Sequence, residues 1–218
     1  MSGRKKWQFA FVQSLTLARI VLVAVFLVIT VIAQKPLGAR AFTLAFAAMI
    51  LSALTDLLDG WFARRFGVVT RLGGYADPMV DKVFYLVTFP TLVYLAGIAG
   101  QERHAQLLLG LTIVFLIRDL WVSLLRSIGA IYGVSGAANW SGKLRTIISF
   151  PSVCLIYYFL QAPRDWWLQI HELVVYLLEV AALLINAISI WVYTGRYWPS
   201  LSKELNRQDE SDREETDA

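Results

Sequence analysis

The sequence predicts an all-α integral membrane protein: a bundle of six transmembrane helices with a polar site facing the cytosol. Three observations predict it. Of 218 residues, 57% are hydrophobic and 17% charged, against about 25% charged in a soluble domain. Six apolar stretches approach the roughly 20 residues that a helix needs to cross hydrocarbon. The ionisable residues that invade those stretches gather at one end of them, and charge in hydrocarbon costs a few kcal/mol per residue unless function demands it.

The predicted spans are 10–33, 41–63, 74–99, 105–127, 143–162 and 168–195. Uncharged runs inside them include 20–34, 41–55, 83–101 and 146–163. Arg4, Lys5 and Lys6 precede the first span as in a signal peptide. The apolar stretch is long, however, and no small-x-small site ends it, so it reads as a retained helix. Cys154 is the one cysteine; it has no internal partner and reads as an inert thiol in an apolar run. Eight Trp and nine Tyr suit anchoring at the membrane interface.

Residues 1–198 are expected to form one membrane domain, and 199–218 a disordered acidic tail. The tail holds seven acids and three bases, so a net charge of +4 divides into −4 on the tail and +8 on the body. A basic body without a soluble face excludes nucleic acid and favours membrane lipid headgroups and phosphate substrates.

Orientation follows from the basic residues. Arg4, Lys5 and Lys6 precede span 1, and Arg64, Arg65 and Arg71 lie between spans 2 and 3. Arg126, Lys143 and Arg145 flank the connection of 4 to 5, and Arg196 and Lys203 follow span 6. The other face keeps Lys35, Arg40, Arg103 and Arg164. The positive-inside rule places both termini of this multi-pass chain in the cytoplasm. Arg19, Asp56, Asp59, Asp77, Asp81, Arg118, Asp119, Lys143 and Arg145 then share one depth near the cytoplasmic face.

In the string Asp56-Leu-Leu-Asp59-Gly60-Trp-Phe-Ala63-Arg64 the named residues fall at i, i+3, i+4, i+7 and i+8, one face of a helix. Gly73, Asp77 and Asp81 follow at i, i+4 and i+8, again one face. Two antiparallel helices with a short loop can present four carboxylates to each other. Unneutralised, these would repel and partly protonate. Hard divalent cations with oxygen ligands relieve that repulsion, and phosphate oxygens complete the coordination. Gly60, Ala63 and Gly73 leave room at the backbone, and Arg64 is a phosphate partner. An ion or proton pathway in a transporter is the alternative of another class, but its charges belong near the midplane.

The complete spacing, Asp56-x2-Asp59-Gly60-x2-Ala63-Arg64-x8-Gly73-x3-Asp77-x3-Asp81, resembles the signature of the CDP-alcohol phosphatidyltransferases. Eight fixed positions at about 6% usage each arise by chance on the order of 10⁻¹⁰ per start. The resemblance implies six transmembrane helices, a cytosol-facing polar cavity, a homodimer, and Mg²⁺ or Mn²⁺, as two ions. It implies that Asp56, Asp59 and Asp77 bind metal and cytidine diphosphate. It makes Asp81 a residue beside the metals and the general base, and gives Gly60, Ala63, Arg64 and Gly73 to the nucleotide site. The expected setting is a bacterial inner membrane.

The second half bears on the acceptor alcohol. Arg118-Asp119, Leu125-Arg126, Gly133-Val134 and Ser141-Gly142-Lys143-Leu144-Arg145-Thr146 resemble the phosphatidylglycerophosphate synthase branch, as do Asp77-Pro78 and Asp81-Lys82. That branch joins CDP-diacylglycerol to glycerol 3-phosphate. Arg118, Arg126, Lys143 and Arg145 suit an anionic acceptor better than neutral inositol or zwitterionic serine. Inositol phosphate, inositol, serine and phosphatidylglycerol remain alternative acceptors for the same chemistry. The chain departs from the branch at Asp119, usually Glu, at Arg145, usually Lys, and at Val12-Gln13-Ser14-Leu15-Thr16, which keeps only the Leu-Thr of the usual Pro-Asn-x-Leu-Thr. Glu179 reads as a structural carboxyl, Gly129 and Gly133 as loop glycines, and His104 and His171 are given no role.

Overall fold

Each of the six apolar stretches forms a helix in the computed structural model. The structure describes residues 3–32, 38–67, 71–134, 140–163, 166 and 168–216, with side chains except those of 3–6, 56, 57, 59, 60, 63, 64, 71–81, 143 and 208–216. The helices are α1 (Gly3–Ile32), α2 (Ala39–Phe66), α3 (Arg71–Ile98), α4 (Glu102–Ile131), α5 (Trp140–Gln161) and α6 (Glu172–Thr216). Among the described residues there is no strand. Among the described residues, four segments are long and apolar enough to cross a membrane: Trp7–Ile32, Glu102–Ile131, Trp140–Gln161 and Glu172–Arg207. The apolar parts of α2 and α3 among the residues described with side chains, Ala39–Thr55 and Lys82–Ile98, are shorter.

Helix ends follow from local chemistry. Gly100 and Gly133, both at φ 70°, close α3 and α4. Gln101 N–H donates to Ala96 C=O (2.9 Å) and Gly100 N–H to Gly97 C=O (3.1 Å); Val134 N–H donates to Gly129 C=O (2.8 Å) and Gly133 N–H to Ala130 C=O (3.3 Å). This paired pattern needs a left-handed residue after the last turn, which glycine adopts without a Cβ penalty. At the start of α6, His171 Nδ1 accepts from Leu173 N–H at 3.2 Å, satisfying one of the orphan donors of the first turn. α6 then continues through Pro199 to Thr216. Its Glu, Lys, Arg and Gln residues are good helix formers.

The chain divides into two compact units. The first comprises Met1–Leu109 and Val153–Val175. In it α1 packs on α2 and α3, and an aromatic core closes one end. Phe42, fully buried, stacks on Tyr157 (5.8 Å, 6°) and meets Trp166 (5.0 Å) and Tyr158 (5.7 Å) edge-on, while Phe26 meets Tyr157 (5.2 Å). His104 is buried too: its Nε2 lies 3.7 Å from Glu172 Oε1 and its ring 5.5 Å from that of Phe159. Cys154 is a buried free thiol.

The second unit comprises Gly110–Ser152 and Tyr176–Ala218. Its core is Val122, Leu125, Tyr193 and Tyr197, with Trp121, Val134 and Leu201 packed against it. Trp121 Nε1 donates to Thr194 Oγ1 (2.8 Å) and Tyr132 Oη to Glu204 Oε2 (2.6 Å), so α4 and α6 are stitched together by polar bonds along their length. Gly129 corrects the sequence expectation: it is a packing position inside α4, not a loop glycine. A Cβ there would stand 2.5 Å from Tyr197 Cδ1 and closer still to Cε1, so α6 approaches only because the side chain is absent.

Gly129→Ala should therefore lower stability by about 1–3 kcal/mol through overpacking. Gly110→Ala, on the same helix with nothing within 4 Å of its would-be Cβ, should be neutral or stabilising by about 0.5–1 kcal/mol. Thermal unfolding of both variants in detergent checks the contrast.

Candidate active site

The expected site residues come from both units. Asp56, Asp59, Gly60, Ala63 and Arg64 lie in the last three turns of α2, and Gly73, Asp77 and Asp81 in the first three turns of α3. The helical register sets Asp56 and Asp59 one turn apart on α2, and Asp77 and Asp81 one turn apart on α3. The side chains of these eight residues lie outside the described ones. Among the described residues no group of three or more His, Cys, Asp or Glu could hold a metal ion. The chemistry of the motif's donor set, carboxylate oxygen throughout, is that of a hard divalent cation.

Neighbouring side chains show what holds this end of α2. Phe62 meets Phe11 of α1 edge-on (5.2 Å, 88°) and stacks on Phe66 (5.3 Å). Arg65 lies 5.0 Å over the Trp61 ring. Arg19 of α1, the charged residue expected at this depth, is 2% exposed. A guanidinium so deeply buried is costly in an apolar helix unless it is partnered.

The second unit assembles the basic residues. Arg118 and Asp119 are adjacent on α4 and both buried. Asp119 Oδ1 accepts from Arg118 Nη1 (2.8 Å) and from Arg145 Nη1 of α5 (2.9 Å). Arg118 Nε donates to Ser189 Oγ of α6 (3.0 Å). Arg126, two turns beyond Arg118, donates from Nη2 to Tyr193 Oη (2.9 Å). The guanidiniums of Arg118 and Arg126 each stand 5.3 Å from the Tyr193 ring centroid, and that of Arg145 stands 4.1 Å from Phe115. Arg126 makes no ion pair among the described residues, and its buried Nε has no hydrogen-bond partner among them. Ser141 Oγ, fully buried at the start of α5, has none among them either.

The structure thus brings together three of the four expected acceptor residues, Arg118, Arg126 and Arg145; the Lys143 side chain lies outside the described ones. It adds three residues that the sequence reading left without a role. Asp119 bridges two arginines, Ser189 orients one, and Tyr193 carries two. A signal for the last two was present: Ala182, Asn186, Ser189, Tyr193, Tyr197 and Ser200, all buried, recur at helical spacing along α6 as a polar and aromatic stripe. Glu179, also buried, begins that stripe.

Residues 10–192 match the family model of the CDP-alcohol phosphatidyltransferases. The chain belongs to that family. Similar proteins include a probable phosphatidylglycerophosphate synthase of Mycobacterium tuberculosis (strain CDC 1551 / Oshkosh), 31% identical over 182 residues, covering 84% of this chain and 78% of the relative. Two relatives named CDP-diacylglycerol–glycerol-3-phosphate 3-phosphatidyltransferase are each 30% identical. That of Salmonella typhimurium (strain LT2) matches over 168 residues and that of Escherichia coli (strain K12) over 162, each covering 73% of this chain and 81% of the relative. This CDP-alcohol phosphatidyltransferase is a membrane enzyme of phospholipid biosynthesis, and the transporter alternative finds no support.

Asp119 is the member of the basic cluster whose loss is most costly. With side chains only 7%, 10% and 12% exposed for Arg118, Asp119 and Arg145, Asp119→Ala leaves two guanidiniums without their shared carboxylate. Removing one partner of a buried pair costs about 3–5 kcal/mol. Chemical or thermal unfolding in detergent should show a loss of that order.

Proposed function

We propose that this enzyme transfers the phosphatidyl group of CDP-diacylglycerol to glycerol 3-phosphate, giving phosphatidylglycerophosphate and CMP. The observation that carries the proposal is the convergence of Arg118, Arg126 and Arg145 around Asp119 and Tyr193. Guanidiniums that outnumber the carboxylate they surround suit a phosphate dianion, and Arg126 Nε and Ser141 Oγ are buried donors that such an anion would satisfy. Inositol and serine bring no such charge. Inositol phosphate does, and the names of the relatives favour glycerol 3-phosphate over it.

In this reading all six helices cross the membrane, with both termini, the motif ends of α2 and α3, and the basic cluster on the cytoplasmic side of a bacterial inner membrane. Exposed Trp7, Trp61 and Trp140, near the helix ends assigned to that side, support it as interfacial anchors. The enzyme works as a homodimer among membrane lipids.

Asp56, Asp59, Asp77 and Asp81 would hold Mg²⁺ or Mn²⁺, as two ions. When bound, the metal neutralises charge on the diphosphate and polarises the transferring phosphate. Asp56, Gly60, Ala63, Arg64 and Gly73 receive the cytidine diphosphate, and Arg64 adds a fixed positive charge where negative charge develops. Asp81 accepts the proton of the glycerol 3-phosphate 1-hydroxyl, general-base catalysis worth about 10²–10⁴-fold. The oxygen so released forms a bond to the phosphorus that carries diacylglycerol. The bond from that phosphorus to the CMP oxygen breaks, and CMP leaves with the electron pair. Arg118, Arg126, Lys143 and Arg145 hold the acceptor phosphate meanwhile.

CMP release from CDP-diacylglycerol in detergent micelles, with glycerol 3-phosphate, inositol 1-phosphate, inositol and serine compared, tests the acceptor: release with glycerol 3-phosphate alone is expected. Release with a different alcohol alone would keep the aspartate chemistry and remove the acceptor assignment. Chelation with EDTA should abolish release, and Mg²⁺ or Mn²⁺ should restore it. Asp81→Asn should retain CDP-diacylglycerol binding and lose turnover by at least about 10²-fold; wild-type-like turnover would take the base role from Asp81.

A further inference from the structure

Resting on that acceptor reading, we propose that Tyr193 is a positioning residue for the acceptor: its ring and hydroxyl hold Arg118 and Arg126 in the orientation that receives the phosphate. A guanidinium has five N–H donors in one plane. A carboxylate that orients it occupies donors and cancels charge, whereas an aromatic face orients it and leaves both its charge and its N–H edge available. Tyr193 does this for two arginines at once, each 5.3 Å from its centroid, and its hydroxyl accepts from Arg126 Nη2 at 2.9 Å.

The platform is rigid. Tyr193 is fully buried, stacks parallel to Tyr197 (6.3 Å, 3°), and belongs to the core with Val122 and Leu125. The donors it leaves open are the ones an anion needs. Arg118 Nε and Nη1 are committed to Ser189 and Asp119, while Nη2 makes no hydrogen bond among the described residues. Arg126 Nε is likewise without a partner among them. The first turn of α5 comes up against the same group. A Cβ on Gly142 would stand 3.0 Å from Tyr193 Oη and 3.8 Å from Arg118 Nη2, so glycine at this position is what lets the Ser141-Gly142-Lys143 backbone reach the arginines. Tyr193 is therefore the point where α4, α5 and α6 meet behind the basic cluster.

Two substitutions separate positioning from mere packing. Tyr193→Phe keeps the ring and its stacking and removes the bond to Arg126; Tyr193→Leu removes the platform. Both are assayed by CMP release in mixed micelles, with each substrate varied in turn. The expected result is an acceptor KM raised about tenfold by Phe and about a hundredfold by Leu, exceeding any fall in kcat, while the KM for CDP-diacylglycerol stays within twofold. Acceptor KM unchanged in Tyr193→Phe, or both substrate KM values rising together, would overturn the proposal. If Tyr193→Leu fails to fold, Tyr193→Phe, whose melting temperature is recorded beside its kinetics, decides alone. Failure of the underlying reading looks different: the wild-type enzyme would then release no CMP with glycerol 3-phosphate.

Discussion

A guanidinium buried among apolar helices must be partnered, and in the second unit the partnering of Arg118, Arg126 and Arg145 governs how α4, α5 and α6 pack. Asp119 ties α4 to α5 through Arg145, Ser189 ties α4 to α6 through Arg118, and Tyr193 ties Arg126 to α6. The apolar core around Val122, Leu125 and Tyr197 closes on that network, with Gly129 yielding its side-chain volume so that Tyr197 can approach. Hydrophobic burial alone would not choose this arrangement, because lipid is as apolar as the core and gives helices little reason to associate. Polar bonds and close van der Waals packing make the choice.

Under the proposed acceptor reading, the same network answers a functional difficulty. A site for a phosphate must concentrate positive charge without coming apart when empty, yet a full complement of carboxylates would cancel the charge the ligand needs. One aspartate shared by two arginines, with ring faces of Tyr193 and Phe115 against the guanidiniums, is an intermediate solution. The rings lower the cost of burial while leaving net charge in place. The cluster is stable enough to fold and still electrostatically unfinished.

Much of this was legible in the sequence. Apolar length marked all six helices to within a few residues at most ends, and the spacing from Asp56 to Asp81 carried the family. What stayed hidden depends on neighbours distant in the chain. Gly129 looked like a loop residue because it stands four positions before Gly133, a true turn glycine; only the Tyr197 ring across from it reveals a packing role. His104 was given no role, yet it lies against Glu172 and Phe159. The segment after Pro199 looked like a tail because its charge predicts solvation, and solvation is compatible with an extended helix. Tyr193 carried no motif at all: an aromatic residue in an apolar span is ordinarily core, and its second role is visible only once two guanidiniums are seen on its face.

The two departures from the synthase pattern in the second half of the chain make physical sense as a pair. Where the resemblance to the synthase branch implies Glu and Lys, this chain has Asp119 and Arg145. Shortening the carboxylate by one methylene draws it toward α4 and beside Arg118, at 2.8 Å. A lysine on α5 would then have to bring a single ammonium across the remaining gap. Arginine reaches farther, and its planar group can donate to Asp119 at 2.9 Å while lying flat on Phe115 at 4.1 Å, which an ammonium does less well. In this chain Asp119 and Arg145 together bridge α4 and α5. The total charge of the cluster is unaltered by the exchange, so these departures leave intact the feature on which the proposed recognition of an anionic acceptor rests.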